Sequence, residues 1–395
     1  MAWESKRLDE IATIQTGPFG SQLHKKDYVD VGTPIITVEH LGQYRIRRQN
    51  IPMVTSEDAN RLQKYSLLPG DIVFSRVGSV DQSSYVGEAE SGWLFSGRCL
   101  RVRPNVKKAD PLFTYYALNT AGLKNYIRAI AVGATMPSIN TAILSEIPIS
   151  LPALNEQQQI ATVLGSLDDK IAANQHVIHT SIALAESIVS RNLTAGHTRL
   201  SDVAQVTMGT SPKGEYLSEE STGLPFYQGV RDFGEITPHQ RIYTDSPVRQ
   251  AEAGDILFAV RAPVGEVNIA SEHTAIGRGL AAIRGLKNHN ALFYLLRSRP
   301  EIWSMHQDSG TVFASINKTD LANASIPEIE MDSTDSELVD ELHREALTLT
   351  NQNITLVKTR DELLPLLMSG KITVREAGQE AAAAGAQIQS EENEV

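Results

Sequence analysis

Two stretches of the chain carry apolar residues at a period that sets them apart from the rest. Ile160, Leu164, Leu167, Ile171, Asn174, Ile178, Ser181, Ala185 and Ile188 follow alternating steps of four and three, a seam of period 3.5. Val339, Leu342, Ala346, Leu349, Asn353, Leu356, Leu363 and Leu367 nearly repeat it. Pro152 before the first seam and Gly196 after it suit the start and stop of a helix. One such stripe is ordinarily a single core helix. Two at a fixed register, each with an asparagine near mid-seam, predict a coiled-coil pair with Asn174 and Asn353 setting its register. Elsewhere the runs TPIITV, DIVFSRV and LPFYQGV, bounded by Gly, Pro and Asp, predict strands and turns, while FTYYALNTAGLKNYIRAI and NALFYLLRSRPEIWSMH predict helices.

These elements repeat. RLDEIATIQTG at Arg7 returns as RLSDVAQVTMG at Arg199, and PGDIVFSR (Pro69 to Arg76) returns as AGDILFAVR (Ala253 to Arg261). SGRCL (Ser96 to Leu100) returns as IGRGL (Ile276 to Leu280), and Ser138-Ile139-Asn140 as Ser315-Ile316-Asn317. The offset drifts from 192 to 177 through these pairs and then holds at 179 along the seams. Each half is thus a mixed α+β globular part with loops of variable length, followed by a helix of constrained length. A helix of about 40 residues is about 60 Å long. If the first leaves one globular part and ends at the other, and the second returns, the two pair antiparallel.

The 395 residues suffice for two domains, and 41% hydrophobic with 21% charged residues is an ordinary folded composition. MAWESKRLDE has no apolar signal core, there is no run of 18 apolar residues, and Cys99 is the single cysteine, so a cytoplasmic protein with no membrane association is expected. The formal charge of -11 counts against nucleic acid until it is mapped. Residues 1 to 150 carry +3, 151 to 198 carry -2, 199 to 330 carry -4, and 331 to 395 carry -8. Most of the acidity is at the end, which leaves a basic face possible elsewhere.

Catalytic signatures are missing. GTSPKG at Gly209 has the wrong spacing for a phosphate loop, no Asn-Pro-Pro-Tyr or Asp-Pro-Pro-Tyr occurs, and no nuclease carboxylate cluster stands out. His176 and His179 lack a third ligand and read as a solvated helix face. Asp168 and Asp169, adjacent on a helix, point apart and read as solvated charge or partner contact. Cys99 reads as buried filler.

The basic residues are more informative. Lys25, Lys26, Arg45, Arg47, Arg48, Arg76 and Arg98 in the first half lie in or beside predicted loops, as do Lys213, Arg231, Arg241, Arg261, Arg278 and Lys318 in the second. As cations in or beside loops, all are candidate nucleic-acid contacts. Letter by letter, Arg76 matches Arg261 and Arg98 matches Arg278, which suggests a shared task such as phosphate contact or fold maintenance. Arg45-Ile46-Arg47-Arg48 set against Gln240-Arg241-Ile242-Tyr243 differ, as base readers should.

The paired GDIVF and GDILF, the run IPISLPALNEQQQIATVLGSLDDKIAANQ and the C-terminal LLPLLMSGKI resemble the specificity subunit of type I restriction-modification systems, over about residues 5 to 375. The second helix departs from the pattern, beginning DSTDSELVDELHREALTLTNQN. The resemblance implies two α+β target recognition domains separated by a long antiparallel two-helix coiled coil with an internal pseudo-two-fold repeat. The expected boundaries are 1–150 and 199–330 for the recognition domains, 151–198 and 331–375 for the helical regions, and 376–395 for a tail read as disordered, with a short helix as the alternative.

It also implies a non-catalytic subunit that reads a split, asymmetric site on double-stranded DNA. Two methyltransferase subunits dock on such a chain, and two restriction and translocase subunits can join them. No cofactor is expected in this chain; S-adenosylmethionine, ATP and Mg belong to the partner subunits. An adaptor made of two protein-binding domains on the same rod is the alternative reading, and the net acidity is its support.

Overall fold

The computed structural model describes residues 3–18, 22–307 and 315–387, and falls into two compact units. Residues 1–172 with 354–395 form the first unit, and 173–353 form the second.

In the first unit, an antiparallel sheet runs Ala12–Thr16, Cys99–Pro104, Ile72–Ser75, Ser83–Tyr85 in spatial order. A second sheet orders Tyr28–Val29, Met53–Val54, Thr33–Ile36 and Leu94–Phe95, the last pair parallel. The second unit repeats the first sheet with Ala204–Met208, Leu280–Gly285, Ile256–Ala259 and Val267–Ile269. It repeats the second sheet with Leu217–Ser218, Tyr243–Thr244, Leu224–Tyr227 and Thr274–Ile276, adding Gln250–Ala251 at the edge. Helices Pro111–Leu118 and His289–Ser298 bury Phe113, Tyr116, Phe293 and Tyr294 in the respective cores. Both globular parts are α+β, as the repeat predicts.

The repeated motifs are structural. Gly70 and Gly254 take φ of +90° and +88°, a turn conformation open to glycine at little cost. The buried Asp71 that follows accepts from the Leu68 N–H at 2.8 Å and from Arg103 at 2.6 Å. Asp255 does the same with the Glu252 N–H at 2.9 Å and with Arg284 at 2.6 and 2.9 Å. A buried carboxylate is tolerable only when so paired, which explains why Gly-Asp precedes the central strand twice. In the Ser-Ile-Asn repeat, Asn140 and Asn317 each accept an N–H at 2.9 Å, from Ile143 and Asp320, capping the helices Thr141–Ser145 and Lys318–Ala322.

The long helices are Leu154–Arg191 and Ser333–Met368, of 38 and 36 residues and so about 57 and 54 Å. Every seam residue of the first is buried, the polar Asn174 and Ser181 included. In the second unit Asn174 Nδ2 donates to Asn353 Oδ1 at 2.8 Å and Gln352 Oε1 at 2.9 Å, Ser181 donates to Glu345 at 3.1 Å, and Arg191 to Asp335 at 2.5 Å. Numbers rise on one helix as they fall on the other, so the pair is antiparallel. In the first unit Arg360 reaches Asp168 at 2.7 Å in the same sense.

Four readings change. The first helix ends at Arg191, because Leu193–Arg199 pairs as a strand with Ser325–Ile329; Gly196 lies in that strand. Asp168 is not solvated. It is buried, accepting from Arg360 and, at 2.6 Å, from the Tyr116 hydroxyl. Burial pushes its carboxyl pKa up, opposed by Arg360 and Tyr116. His179 does not merely face solvent: its Nε2 lies 2.7 Å from Glu235. Within the tail, Val374–Ala383 is a helix capped by Thr373, with Ala377 and Ala381 buried in the core of the first unit; residues 388–395 lie outside the described residues. Alanines four apart bury too little apolar surface to show as a stripe.

Candidate nucleic-acid interface

Backbone hydrogen bonds define which positions of the two recognition domains correspond. Arg76 N donates to Arg98 O at 2.8 Å and Arg76 O accepts from Ile139 N at 2.9 Å. The same two bonds in the second domain belong to Val260, with Gly279 O at 2.9 Å and Ile316 N at 3.0 Å. Arg76 therefore corresponds to Val260, and Arg98 to Gly279. Arg261 corresponds to Val77, both bridging a serine, Ser315 and Ser138. The matching of Arg76 with Arg261 and Arg98 with Arg278 is thus out by one residue, and these arginines do not share a place in the fold.

A second correction concerns the loop expected to read bases. Gly42 exchanges hydrogen bonds with the Ser84 hydroxyl, at 2.8 and 3.2 Å, and Gly234 exchanges them with the Asn268 amide, at 3.1 and 3.0 Å. Further along, Arg47 N donates to His40 O at 2.8 Å and His239 N to Asp232 O at 2.7 Å. Arg47 corresponds to His239 and Arg48 to Gln240, rather than to Ile242 and Tyr243. His239 was missed because the shared residue that would align it, Gly42 with Gly234, is a single glycine at the same offset of 192 as Arg7 and Arg199.

Each of these loops is fastened to the first long helix within its own unit. Arg45 donates to Asp169 at 2.5 Å and lies 4.4 Å from the ring centre of Tyr44, which packs among Tyr85, Tyr115 and Tyr116. In the second unit Glu235 takes His179 from the helix and its carbonyl accepts from Arg297 at 2.8 Å. Burial pushes the Glu235 carboxyl pKa up, opposed by His179 and Arg297.

The other candidates separate into held and open groups. Arg48 donates to the buried Glu90 at 2.5 Å, and Arg241 to the buried Asp232 at 3.1 Å. Arg76 is half-buried, its Nη1 3.3 Å from Gly97 O, and Lys213 lies 3.8 Å from Glu215. Lys26, Arg47, Arg98, Arg231, Arg261, Arg278 and Lys318 are exposed. The side chain of Lys25 lies outside the described residues.

Two neighbourhoods gather cations. In the first unit Arg76 and Arg98 are joined through the backbone. In the second, an open groove of about 670 Å³ is lined by Gln228, by Arg231 and Arg241, and by the carboxylates Asp232 and Glu219, with Ala262, the neighbour of Arg261, on its wall. Arg278 adjoins it through its N–H, which donates to Ser211 Oγ at 3.2 Å; Ser211 in turn donates to Gln228 Oε1 at 3.3 Å. Nothing brings Lys213 or Lys318 into that groove.

Arg231, Arg261 and Arg278 are the exposed cations in or beside this groove, and Arg98 is the exposed one beside Arg76 in the first unit. The model of the type I restriction modification DNA specificity domain matches residues 2–180 and 196–359. The chain belongs to this family of specificity subunits. The type I restriction enzyme MjaX specificity subunit assigned in Methanocaldococcus jannaschii is 29% identical over 408 residues, covering 94% of each chain. The MjaIX specificity subunit of the same organism is 26% identical over 309 residues, covering 67% of this chain and 69% of its own. Among solved structures, the type I restriction-modification S subunit from M. genitalium superposes with a TM-score of 0.63 at 16% identity, covering 92% of this chain and 96% of its own, a likeness of fold.

A specificity subunit is the non-catalytic component of its system. Burial pushes the Cys99 thiol up to about 12, unfit for a nucleophile. Among the described residues no group of three His, Cys, Asp or Glu side chains is arranged to hold a metal, and no helix is long and apolar enough to cross a membrane.

Proposed function

We propose that this specificity subunit reads a bipartite, asymmetric site on double-stranded DNA, one half-site per recognition domain. The long helices set the spacing and present docking surface to two methyltransferase subunits and two restriction subunits. S-adenosylmethionine, ATP and Mg act on those partners, in the cytoplasm. The observation that carries this reading is that one framework, pinned by the same Asp–Arg pair and the same Gly turn, exposes different side chains at a matched position, Arg47 in one domain and His239 in the other. A framework held constant while its exposed groups change is what reading two different sequences requires. Mapping methylated adenines in a host expressing this chain with its methyltransferase should return one motif of two short half-sites and a fixed gap. Methylation without sequence preference, or a single undivided motif, would sink the proposal.

A further inference from the structure

The geometry points to Gln228 as a residue that determines the second half-site, by hydrogen bonding the N6/N7 edge of an adenine. This rests on the DNA-reading role proposed above. Ile36 and Tyr227 end matching strands, their carbonyls accepting from Ser96 N and Gly277 N, each at 2.8 Å. The next shared feature is a tight turn, where His40 N donates to Thr37 O at 3.1 Å and Asp232 N to Gly229 O at 3.3 Å. Thr37 follows Ile36 directly, whereas Gln228 stands between Tyr227 and Gly229. The second domain has therefore gained one residue at this place.

The insertion fits a gap that the first domain does not have. A Cβ on Gly279 would lie 2.2 Å from Gln228 O, so the backbone of the inserted residue occupies space that only glycine leaves. In the first domain that position is Arg98. The two domains thus build the same spot differently: one extends an arginine from the strand end, the other removes the side chain and admits an extra residue with an exposed amide.

Three properties of this amide fit base reading. It lies in the groove beside the exposed Arg231, whose charge can hold a neighbouring phosphate, while Arg241 there is paired with Asp232. Ser211 donates to Gln228 Oε1 at 3.3 Å, which orients the amide and leaves its N–H donors for a partner. A neutral amide adds little to phosphate binding, but its adjacent donor and acceptor match adenine N7 and N6.

Methylation mapping and binding titrations with wild type, Gln228→Ala and Gln228→Glu, each as the complex with its methyltransferase, test this. Gln228→Ala should lose roughly 10-fold of discrimination at one A·T position of one half-site. Gln228→Glu should favour cytosine there, since a carboxylate accepts from cytosine N4. The other half-site should not change in either. Unchanged discrimination in both variants would overturn the inference, as would an equal loss at all sequences by complexes that melt like wild type, which makes Gln228 a phosphate or fold contact. A wild-type complex with no sequence preference overturns the DNA-reading role itself, a different result from a selective wild type with indifferent variants.

Discussion

The two recognition domains hang the same loop from the same kind of pin and then diverge. Gly42 is held by the Ser84 hydroxyl and Gly234 by the Asn268 amide, and each loop closes on a backbone bond seven residues apart, Arg47 to His40 and His239 to Asp232. Their fastenings to the long helix use opposite polarity. In the first unit the loop supplies the cation, Arg45, and the helix the carboxylate, Asp169. In the second the loop supplies the carboxylate, Glu235, and the helix the histidine, His179. What is shared is backbone geometry and what varies is side-chain chemistry, so on the proposed function a half-site could be altered without rebuilding the fold.

The helix pair shows the same contrast. In the first unit the buried Asp168 is satisfied by Arg360 and Tyr116. In the second unit a buried polar group of the second helix is His343, 3.2 Å from the Tyr294 hydroxyl and edge-on to Phe293. Arg360→Leu should be the most damaging single change, costing about 3 to 5 kcal/mol, because it leaves Asp168 buried without its cation. Asp168→Leu added to it should restore most of the loss, measured by chemical denaturation of the methyltransferase complex. A single variant as stable as wild type would remove the ion pair from the account.

The His343 site makes stability depend on pH in the second unit. Burial, reinforced by His289 and opposed by Asp340, pushes its pKa down to about 4 from an ordinary 6.5. The unfolded chain then binds the extra proton first. The stabilisation is complete above pH 6.5 and is lost as pH falls toward and through 4, by about 3 kcal/mol in full. His343→Leu should flatten that limb of a melting-temperature profile, and an unaltered limb would assign the acid sensitivity to other groups.

Smaller effects separate the two readers. Arg47→Ala should relax one position of the half-site read by the first domain, and His239→Ala one position of the other, each by about 1 to 3 kcal/mol of discrimination. Methylation mapping of each variant checks this. A change in both half-sites from either substitution would mean that these loops are not independent.

Much of this arrangement was legible in the chain, for identifiable reasons. A seam of period 3.5 and Gly-Asp or Ser-Ile-Asn repeats are local patterns, and the residues that form them turn out to be seam, turn, ion-pair and cap residues. The partner of the motif aspartates was not visible, because Arg103 and Arg284 lie three strands away in sequence and one strand away in space. The candidate contact residues were misaligned for a physical reason. SGRCL and IGRGL share an arginine, but the parallel strand ending at Ile36 or Tyr227 and the bond from residue 76 or 260 show that the segment has slipped by one residue. Letter identity follows side chains, whereas the fold is set by which carbonyl receives which N–H.

The central claim is that the half-sites and the gap between them are specified by separate parts of the chain, and a matched deletion tests it most directly. Removing residues 170–176 and 351–357 together takes one heptad from each helix, eliminates Asn174 and Asn353 as a pair, and keeps Asp168 with Arg360, Asp169 with Arg45 and His179 with Glu235. One heptad is about 10 Å of helix, roughly 3 base pairs. Methylation mapping should then return both wild-type half-sites with a shorter gap. Half-sites that change while the gap does not would contradict the account.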